Sequence, residues 1–434
     1  MFLAMLMFTV DFVSTTISMS LMIIISGGYL YKTNVYVEDL LFSSNDMNTA
    51  LFFLTSSLLL VVLVSTMINY QQSYTYLQLL MGMLLVACFL TNNLLVFYIL
   101  FESSLLPILL MIISWGYQPE RLQAGMYMIM YTVLGSMPLL MIILYIYTNF
   151  SGLNLYMLSS FYLLPTYVFS IGMLAFLVKL PMYTCHTWLP KAHVEAPLGG
   201  SMILAGILLK LGGYGLYLFN LLISFNNYLP VLTTISLSVW GGFVAALICL
   251  AQNDIKAMIA YSSVVHMSLV IVGILSSTSW GFYSALITML AHGWASSSLF
   301  FIAGVTYSKI GSRSFNFSKG ILNLYPHLSL WWFIFAIVNM SAPPSINFIG
   351  ELYAIPVYMS LSSFLLISLL LLMFISVSYN MMLYVKINHS AISKFLVSAK
   401  EPKPMSNLII VSHLLPLTII MTLSTFFFCV VFYM

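Results

Sequence analysis

Charged residues are the scarcest class in this sequence. Asp, Glu, Lys and Arg make up 5% of its 434 residues, whereas 62% are hydrophobic. An ordinary soluble domain has about 25% charged residues, so a soluble protein of this length would have too few charges to cover its surface. Apolar runs of about 20 residues are long enough to cross a hydrocarbon core roughly 30 Å thick. The composition therefore predicts a polytopic membrane protein.

Motifs for metals, nucleotides and nucleic acids are lacking as well. The cysteines stand far apart in apolar runs, with no CxxC pair and no His/Cys cluster, at Cys88, Cys185, Cys249 and Cys429. We therefore predict no metal or iron–sulfur centre and no bound cofactor in this chain. No run of Lys or Arg favours nucleic acid as a partner. The sequence contains no P-loop, which excludes ATP hydrolysis, and the GGYG at 212–215 lies in an apolar run rather than after a strand.

The apolar runs predict an all-α fold, a transmembrane bundle of about 13 helices in one unit. The first run lacks a basic flank and a small-residue cleavage site, so we expect a retained helix and not a signal peptide. The predicted spans are 2–25, 50–68, 76–91, 93–116, 123–147, 165–187, 199–222, 229–251, 256–275, 281–308, 328–358, 361–385 and 407–433.

The few charged loops predict the orientation. An even number of spans separates each basic loop from the next, so these loops share one side, which the positive-inside rule assigns to the cytoplasm or the mitochondrial matrix. The N-terminus is then predicted on that side and the C-terminus on the other. The loop at 27–49, with Lys32 against three acidic residues, falls opposite. The residues of the shared side are Glu120, Arg121, Lys191, Glu195, Asp254, Lys256, Lys309, Arg313, Lys319, Lys386, Lys394, Lys400, Glu401 and Lys403.

Six of the ionisable residues inside predicted spans are informative. Glu102 and Lys210 stand about nine and eleven residues from the ends of their spans, or about 14 and 16 Å deep at about 1.5 Å per residue. A charge at the bilayer centre costs at least about 2.5–3.5 kcal/mol, so such residues face protein or water and usually mark an ion path. The others are Lys179, His266, His292 and Glu351. The alternative interpretation is that they form buried ion pairs or hydrogen-bonded histidines that only fix helix packing.

These residue types suit proton transfer. Burial favours a neutral lysine, whereas a nearby carboxylate favours the ammonium form, so a movable carboxylate partner switches a buried lysine between holding and releasing a proton. Histidine titrates near neutral pH and can relay protons between such groups. The pattern favours a lateral proton path through Glu102, Lys179, Lys210, His266, His292 and Glu351.

Prolines predict two interrupted helices beside these charges. Pro181 follows Lys179 by two residues, and Pro343-Pro344 precede Glu351. One interruption in each half resembles the plan of inverted-repeat transporters. We predict N-terminal helices at 1–92, a first five-helix repeat at 93–222, an inverted second repeat at 229–385, and a loop with a C-terminal helix at 386–434.

Eight motifs between about residue 90 and residue 385 resemble the antiporter-like membrane subunits of respiratory complex I. The stretches QPER and KAHVEAP, at 118–121 and 191–197, look most like the mitochondrial members. The motifs are KLPMY at 179–183, HTWLPKAHVEAP at 186–197, LLKLGGYG at 208–215, QNDIK at 252–256, AYSSVVHM at 260–267, AHG at 291–293, SSLF at 297–300 and NFIGE at 347–351.

The resemblance implies a path in which a glutamate pairs with the lysine of the first broken helix. A second lysine and a polar residue then connect to a charge in the other broken helix. On this chain these residues are Glu102, Lys179, Lys210, His292 and Glu351. Such subunits usually have four helices before the glutamate-bearing one, whereas three are predicted here, so we expect the usual first helix to be missing.

The resemblance also implies partners. NADH, FMN, iron–sulfur clusters and ubiquinone are expected in other subunits, so the chain would belong to an enzyme without performing its redox step. Expected contacts are neighbouring membrane-arm subunits, including antiporter-like ones, and lipids, in the mitochondrial inner membrane and not as a homo-oligomer. Two alternatives stay open: a subunit of a related cation/proton antiporter or membrane-bound hydrogenase, and a non-conducting scaffold. Co-purifying partners distinguish the first, and ordered water between the buried charges distinguishes the second.

Overall fold

The backbone of the chain is helical, as the sequence predicts. A computed structural model describes residues 12–30, 45–66, 72–150, 166–221, 229–389 and 404–431. Within these ranges the backbone forms helices and no β-strand, apart from isolated bridges such as that between Asp254 and Ser314. Lipid offers no hydrogen-bond partner, so a spanning segment must satisfy its backbone internally, which a helix does.

The α-helices are numbered in chain order. A π-helical turn at Leu204–Leu208 joins α9 and α10 into one span. The helices are α1 (Phe12–Leu30), α2 (Asp46–Thr66), α3 (Gln72–Leu90), α4 (Leu94–Ser103), α5 (Leu105–Trp115), α6 (Arg121–Phe150), α7 (Thr166–Lys179), α8 (Trp188–Glu195), α9 (Leu198–Ile203), α10 (Leu209–Leu221), α11 (Leu229–Ala251), α12 (Ile255–Leu275), α13 (Ser279–Ile310), α14 (Ile321–Leu324), α15 (Pro326–Asn339), α16 (Ile346–Leu361), α17 (Ser363–Asn388) and α18 (Pro404–Val431).

The described helices account for the 13 predicted spans. Ten are long and apolar enough to cross a membrane. The shorter α1 and the interrupted pairs α7–α8 and α15–α16 supply the other three. The first span continues past its predicted end at residue 25, since α1 runs to Leu30, while residues 2–11 of the predicted span lie outside the described ranges.

Both predicted interruptions are present in the described residues. α7 ends at Lys179, two residues before Pro181, and α15 and α16 flank the Pro343-Pro344 pair. The predicted span at 93–116 is found as one apolar span, Leu94–Trp115, with a local irregularity at Ser104, immediately after the helical segment that carries Glu102. Pro107 lacks the N–H that would bond the carbonyl of Ser103, and its ring crowds that carbonyl. No irregularity at this proline was predicted from the sequence.

Helices in the centre of the bundle carry most of the predicted site residues. The α9–α10 span, α12 and α13 are almost wholly buried, whereas α6, α17 and α18 expose large apolar side chains on their outer faces. α12 packs between α11 and α13, and α13 also packs against α16. Side chains on α10, α12, α13 and α16 can therefore meet away from the lipid.

Three of the basic loops lie together, as the orientation analysis predicts. Arg313 donates a hydrogen bond to the carbonyl of Val194 at 2.7 Å, and its own carbonyl accepts from Ile255 N at 3.0 Å. The charged residues at 31–44 and 390–403, including Lys32 and Lys400, lie outside the described ranges. The division into repeats at 93–222 and 229–385 stays a prediction.

Candidate functional site

Glu102 and Lys179 form an ion pair across two helices. Lys179 Nζ lies 4.0 Å from Glu102 Oε1, and the lysine is buried, whereas the glutamate side chain is 21% exposed. Lys179 Nζ also donates to the carbonyl of Phe101 at 2.8 Å and lies over the Phe101 ring, 2.9 Å from its centroid. Glu102 Oε1 has no hydrogen-bond partner among the described residues. The carbonyl and the ring thus hold the ammonium group, while the carboxylate stands just beyond hydrogen-bonding distance.

The end of α7 places Lys179 beside that carboxylate. Pro181 ends the regular helix, and the carbonyl of Val178 accepts a hydrogen bond from Trp188 Nε1 of α8 at 3.0 Å. A buried carbonyl released from a helix needs such a partner. Trp188 therefore ties the second half of the broken helix to the residue before Lys179. The sequence analysis did not single out Trp188, although a tryptophan following a predicted break was a usable signal.

Lys210 and His292 share a hydrogen bond in the middle of the bundle. Both residues are 0% exposed, and Lys210 Nζ lies 3.0 Å from His292 Nδ1. Lys210 Nζ also donates to the carbonyl of Ala205 at 2.7 Å, within the π-helical turn at Leu204–Leu208. Single π-helical turns inside α-helices occur frequently at functional sites. The turn was not evident from the sequence.

Two further contacts extend this arrangement. The rings of His292 and His266 lie 5.3 Å apart between centroids, and His266 Nδ1 lies 3.9 Å from Glu351 Oε1. The Nε2 atom of each histidine has no hydrogen-bond partner among the described residues. Four predicted site residues therefore follow one another in space, and we call Lys210, His292, His266 and Glu351 the central row.

The last member of the central row is held at the second broken helix. Glu351 Oε1 accepts a hydrogen bond from Ser341 Oγ at 2.6 Å, and both side chains are buried. Asn347 Nδ2 donates to the carbonyl of Val338 at 2.8 Å and so joins the two halves of the interruption. Ser341 is a site residue that the sequence analysis missed, because a serine in a loop before two prolines gives no distinctive signal.

The Glu102–Lys179 pair and the central row are neighbours without direct contact. No hydrogen bond or ion pair in the described part of the chain joins Lys179 to Lys210. The backbones are close, since a Cβ atom placed on Gly212 would lie 3.2 Å from Lys179 Cβ and 2.9 Å from Leu180 N. Helix α10 therefore packs directly on the interruption beside Lys179, two residues beyond Lys210.

A second buried charged group lies where the basic loops meet. Lys256 and Glu195 are each 3% exposed, and Arg313 Nη1 lies 3.1 Å from Glu195 Oε1. His193 is 0% exposed and stacks on Phe300 with ring centroids 4.7 Å apart. Glu195, Lys256 and Arg313 were predicted as loop charges, because the sequence does not show that α8 returns into the protein. Across the described residues, no group of three His, Cys, Asp or Glu side chains is arranged to hold a metal ion.

The sequence matches a known family over most of its length. Residues 91–378 match the family described as NADH:quinone oxidoreductase/Mrp antiporter, transmembrane. A relative from Albinaria caerulea, named NADH-ubiquinone oxidoreductase chain 4, is 47% identical over 382 residues, which cover 86% of each chain.

Two solved structures share the fold. A chain of respiratory complex I from Thermus thermophilus superposes with a TM-score of 0.85 at 22% identity, covering 96% of this chain and 92% of the other. A chain of an archaeal membrane-bound sulfane sulfur reductase gives a TM-score of 0.86 at 18% identity, covering 98% and 92%. At these identities the structures support the fold, and the sequence relatives identify the family. The chain belongs to the NADH:quinone oxidoreductase/Mrp antiporter family of transmembrane subunits.

Proposed function

We propose that this chain is a proton-translocating subunit in the membrane arm of NADH:ubiquinone oxidoreductase, and that its buried ionisable residues carry the protons. The observation that supports this most strongly is the central row of four buried ionisable side chains. Lys210 Nζ lies 3.0 Å from His292 Nδ1, and the ring centroids of His292 and His266 are 5.3 Å apart. His266 Nδ1 lies 3.9 Å from Glu351 Oε1. Each buried charge costs at least about 2.5–3.5 kcal/mol in a bilayer. Four adjacent residues of this kind would destabilise a bundle in which they served only helix packing, whereas they are suited to proton transfer.

The central row would work by sharing protons between adjacent groups. Lys210 Nζ and His292 Nδ1 are 3.0 Å apart, so a charged lysine and a charged histidine would repel each other strongly. The state in which only one of the two residues is charged is therefore favoured. His266 stands next, with Nδ1 facing Glu351 and a second ring nitrogen free to exchange a proton. A proton gained at Lys210 therefore favours release further along the row, toward Glu351.

The Glu102–Lys179 pair would act as the control element. Lys179 sits at a helix end where the backbone is interrupted, and its 4.0 Å separation from Glu102 is longer than a hydrogen bond. Closer approach of the carboxylate favours the ammonium form of Lys179, and withdrawal favours proton release. Interrupted helices beside charges are the usual site of such changes in transporters.

This assignment also specifies the surroundings of the chain. NADH, FMN, iron–sulfur clusters and ubiquinone would be bound by partner subunits, with neighbouring antiporter-like subunits and lipids around this chain. The proposed location is the mitochondrial inner membrane, with the N-terminus in the matrix and the C-terminus in the intermembrane space. The convergence of Glu195, Lys256 and Arg313 on one side of the bundle supports a matrix side.

The test removes one charge at a time from the assembled complex. Lys179→Met and Glu102→Gln should each lower proton pumping and coupled NADH oxidation in liposomes, while native gels show normal assembly. Lys319→Met, at a half-buried loop position, and Glu120→Gln, at an exposed position, make the same chemical changes and should leave both activities unchanged. Normal pumping in both assembled site variants would contradict the assignment of these residues.

An antiporter subunit is the competing assignment, because the matched family also includes Mrp antiporters. Purification of the native assembly distinguishes the two. Flavin and iron–sulfur subunits that co-purify with ubiquinone reductase activity support complex I. Recovery with small antiporter subunits and no NADH oxidation would instead place the chain in an antiporter.

A further inference from the structure

Two cationic side chains, the buried Lys256 and the half-buried Arg313, bind the carboxyl end of α8. A helix leaves its last carbonyls without backbone partners, and these carry the negative end of the helix dipole. Lys256 Nζ lies 3.4 Å from the carbonyl of Val194 and 3.2 Å from that of Ala196. Arg313 Nη1 donates to the same Val194 carbonyl at 2.7 Å. Pro197 follows directly and α8 ends at Glu195, so the carbonyls of Val194 and Ala196 accept hydrogen bonds from these side chains.

A carboxylate completes this group. Glu195 Oε1 accepts from Arg313 Nη1 at 3.1 Å, and Glu195 Oε2 has no partner among the described residues. We call Glu195, Lys256 and Arg313 the α8 clamp. One carboxylate and a helix terminus together face two cations, which adds an electrostatic attachment to the packing of the buried residues Leu189, Ala192 and His193 of α8.

The two cations of the α8 clamp are fixed to the other half of the protein. Lys256 is the second residue of α12, and Arg313 lies in the loop after α13. A short antiparallel bridge joins these segments, with Ile255 N donating to Arg313 O at 3.0 Å and Phe315 N donating to Asn253 O at 2.9 Å. The cations therefore keep a constant position relative to the helices that carry His266 and His292.

The opposite end of α8 reaches the Glu102–Lys179 pair. Its first residue, Trp188, bonds the carbonyl of Val178, which adjoins Lys179. Eight residues of α-helix span about 12 Å at about 1.5 Å per residue. α8 is thus a short rigid connection with the clamp at one end and the interruption beside Lys179 at the other.

We propose that Glu195, Lys256 and Arg313 are positioning residues, which act through α8 to set the separation of Lys179 from Glu102. This inference rests on the proposed function of that ion pair. If the α8 clamp loosens, α8 shifts, Trp188 moves with it, and the geometry of the pair changes. The α8 clamp would thereby connect the position of α12 and α13 to the charge state of Lys179.

A double-mutant cycle tests this connection, because residues that act through one another give non-additive effects. In the assembled complex, Arg313→Gln should lower proton pumping several-fold, and Arg313→Lys, which keeps the charge but not the planar fork, should recover part of it. On a Glu102→Gln background, Arg313→Gln should have little further effect. Lys319→Gln removes a charge from the same loop and should leave the pumping of each background, wild type or Glu102→Gln, unchanged.

The outcomes are separable. Additive losses from Arg313→Gln and Glu102→Gln would overturn the positioning role while leaving the proposed function intact. Unchanged pumping in Glu102→Gln alone would overturn the proposed function first. If Arg313→Gln fails to assemble, the same cycle is run with Glu195→Gln, which keeps the volume and removes the carboxylate; additivity there again rejects the inference.

Discussion

Replacing Lys210 by methionine separates the effect of the buried amine on stability from its role in proton pumping. The substitution removes a group whose charged form costs about 2.5–3.5 kcal/mol at mid-membrane. It also leaves the carbonyl of Ala205 and Nδ1 of His292 without a donor, at about 1–3 kcal/mol each. The gain and the losses nearly cancel, so we expect a net destabilisation on the order of 1 kcal/mol.

The expected phenotype is an assembled and stable complex that has lost proton pumping. Assembly is measured on native gels, thermal inactivation at one fixed heating rate, and pumping by a pH-sensitive dye in liposomes during NADH oxidation. Leu209→Met is the matched control, since it places the same side chain at the adjacent buried position and costs less than about 1.5 kcal/mol. Loss of assembly in Lys210→Met with normal assembly in Leu209→Met would show a structural role, and normal pumping in Lys210→Met would refute the central row.

Two further predictions concern single contacts. Ser341→Ala removes the hydroxyl that donates a hydrogen bond to Glu351, and a hydrogen bond to a charged group contributes about 1.5–3 kcal/mol. Proton pumping should therefore fall while the complex still assembles. Wild-type pumping in this variant would show that the hydroxyl is dispensable. Gly215→Ala would place a Cβ atom 2.3 Å from Phe176 Cε1 and should destabilise the complex by about 1–3 kcal/mol in thermal unfolding. Gly28→Ala meets nothing within 4 Å and is the control; equal effects of the two alanines would contradict the packing described.

The fold was predictable because membrane burial imposes a simple pattern. Long apolar runs are helices in a bilayer, and prolines beside charges located the interruptions near Lys179 and Glu351. Pro107 lies three residues beyond the irregularity at Ser104 and was visible in the sequence, but a proline near a helix start need not interrupt a span.

The members of the candidate site were predictable, but their contacts were not. Buried ionisable residues stand out against an apolar background, so Lys210 and His292 could be named from sequence. Their 3.0 Å separation depends on the packing of α10 against α13 and on the π-helical turn, which no local pattern encodes. Lys256 was interpreted as a loop charge, because only the tertiary fold brings the end of α8 against it.

The most direct test of the account is a structure of the intact complex at a resolution that shows ordered water. Lys179 and Lys210 have no direct contact, so a proton that passes between them needs water molecules between α7 and α10. The account predicts ordered waters connecting the Glu102–Lys179 pair to the central row and lying between His292 and His266. A dry, fully apolar separation at both places would contradict proton transfer through these residues and would support a scaffold.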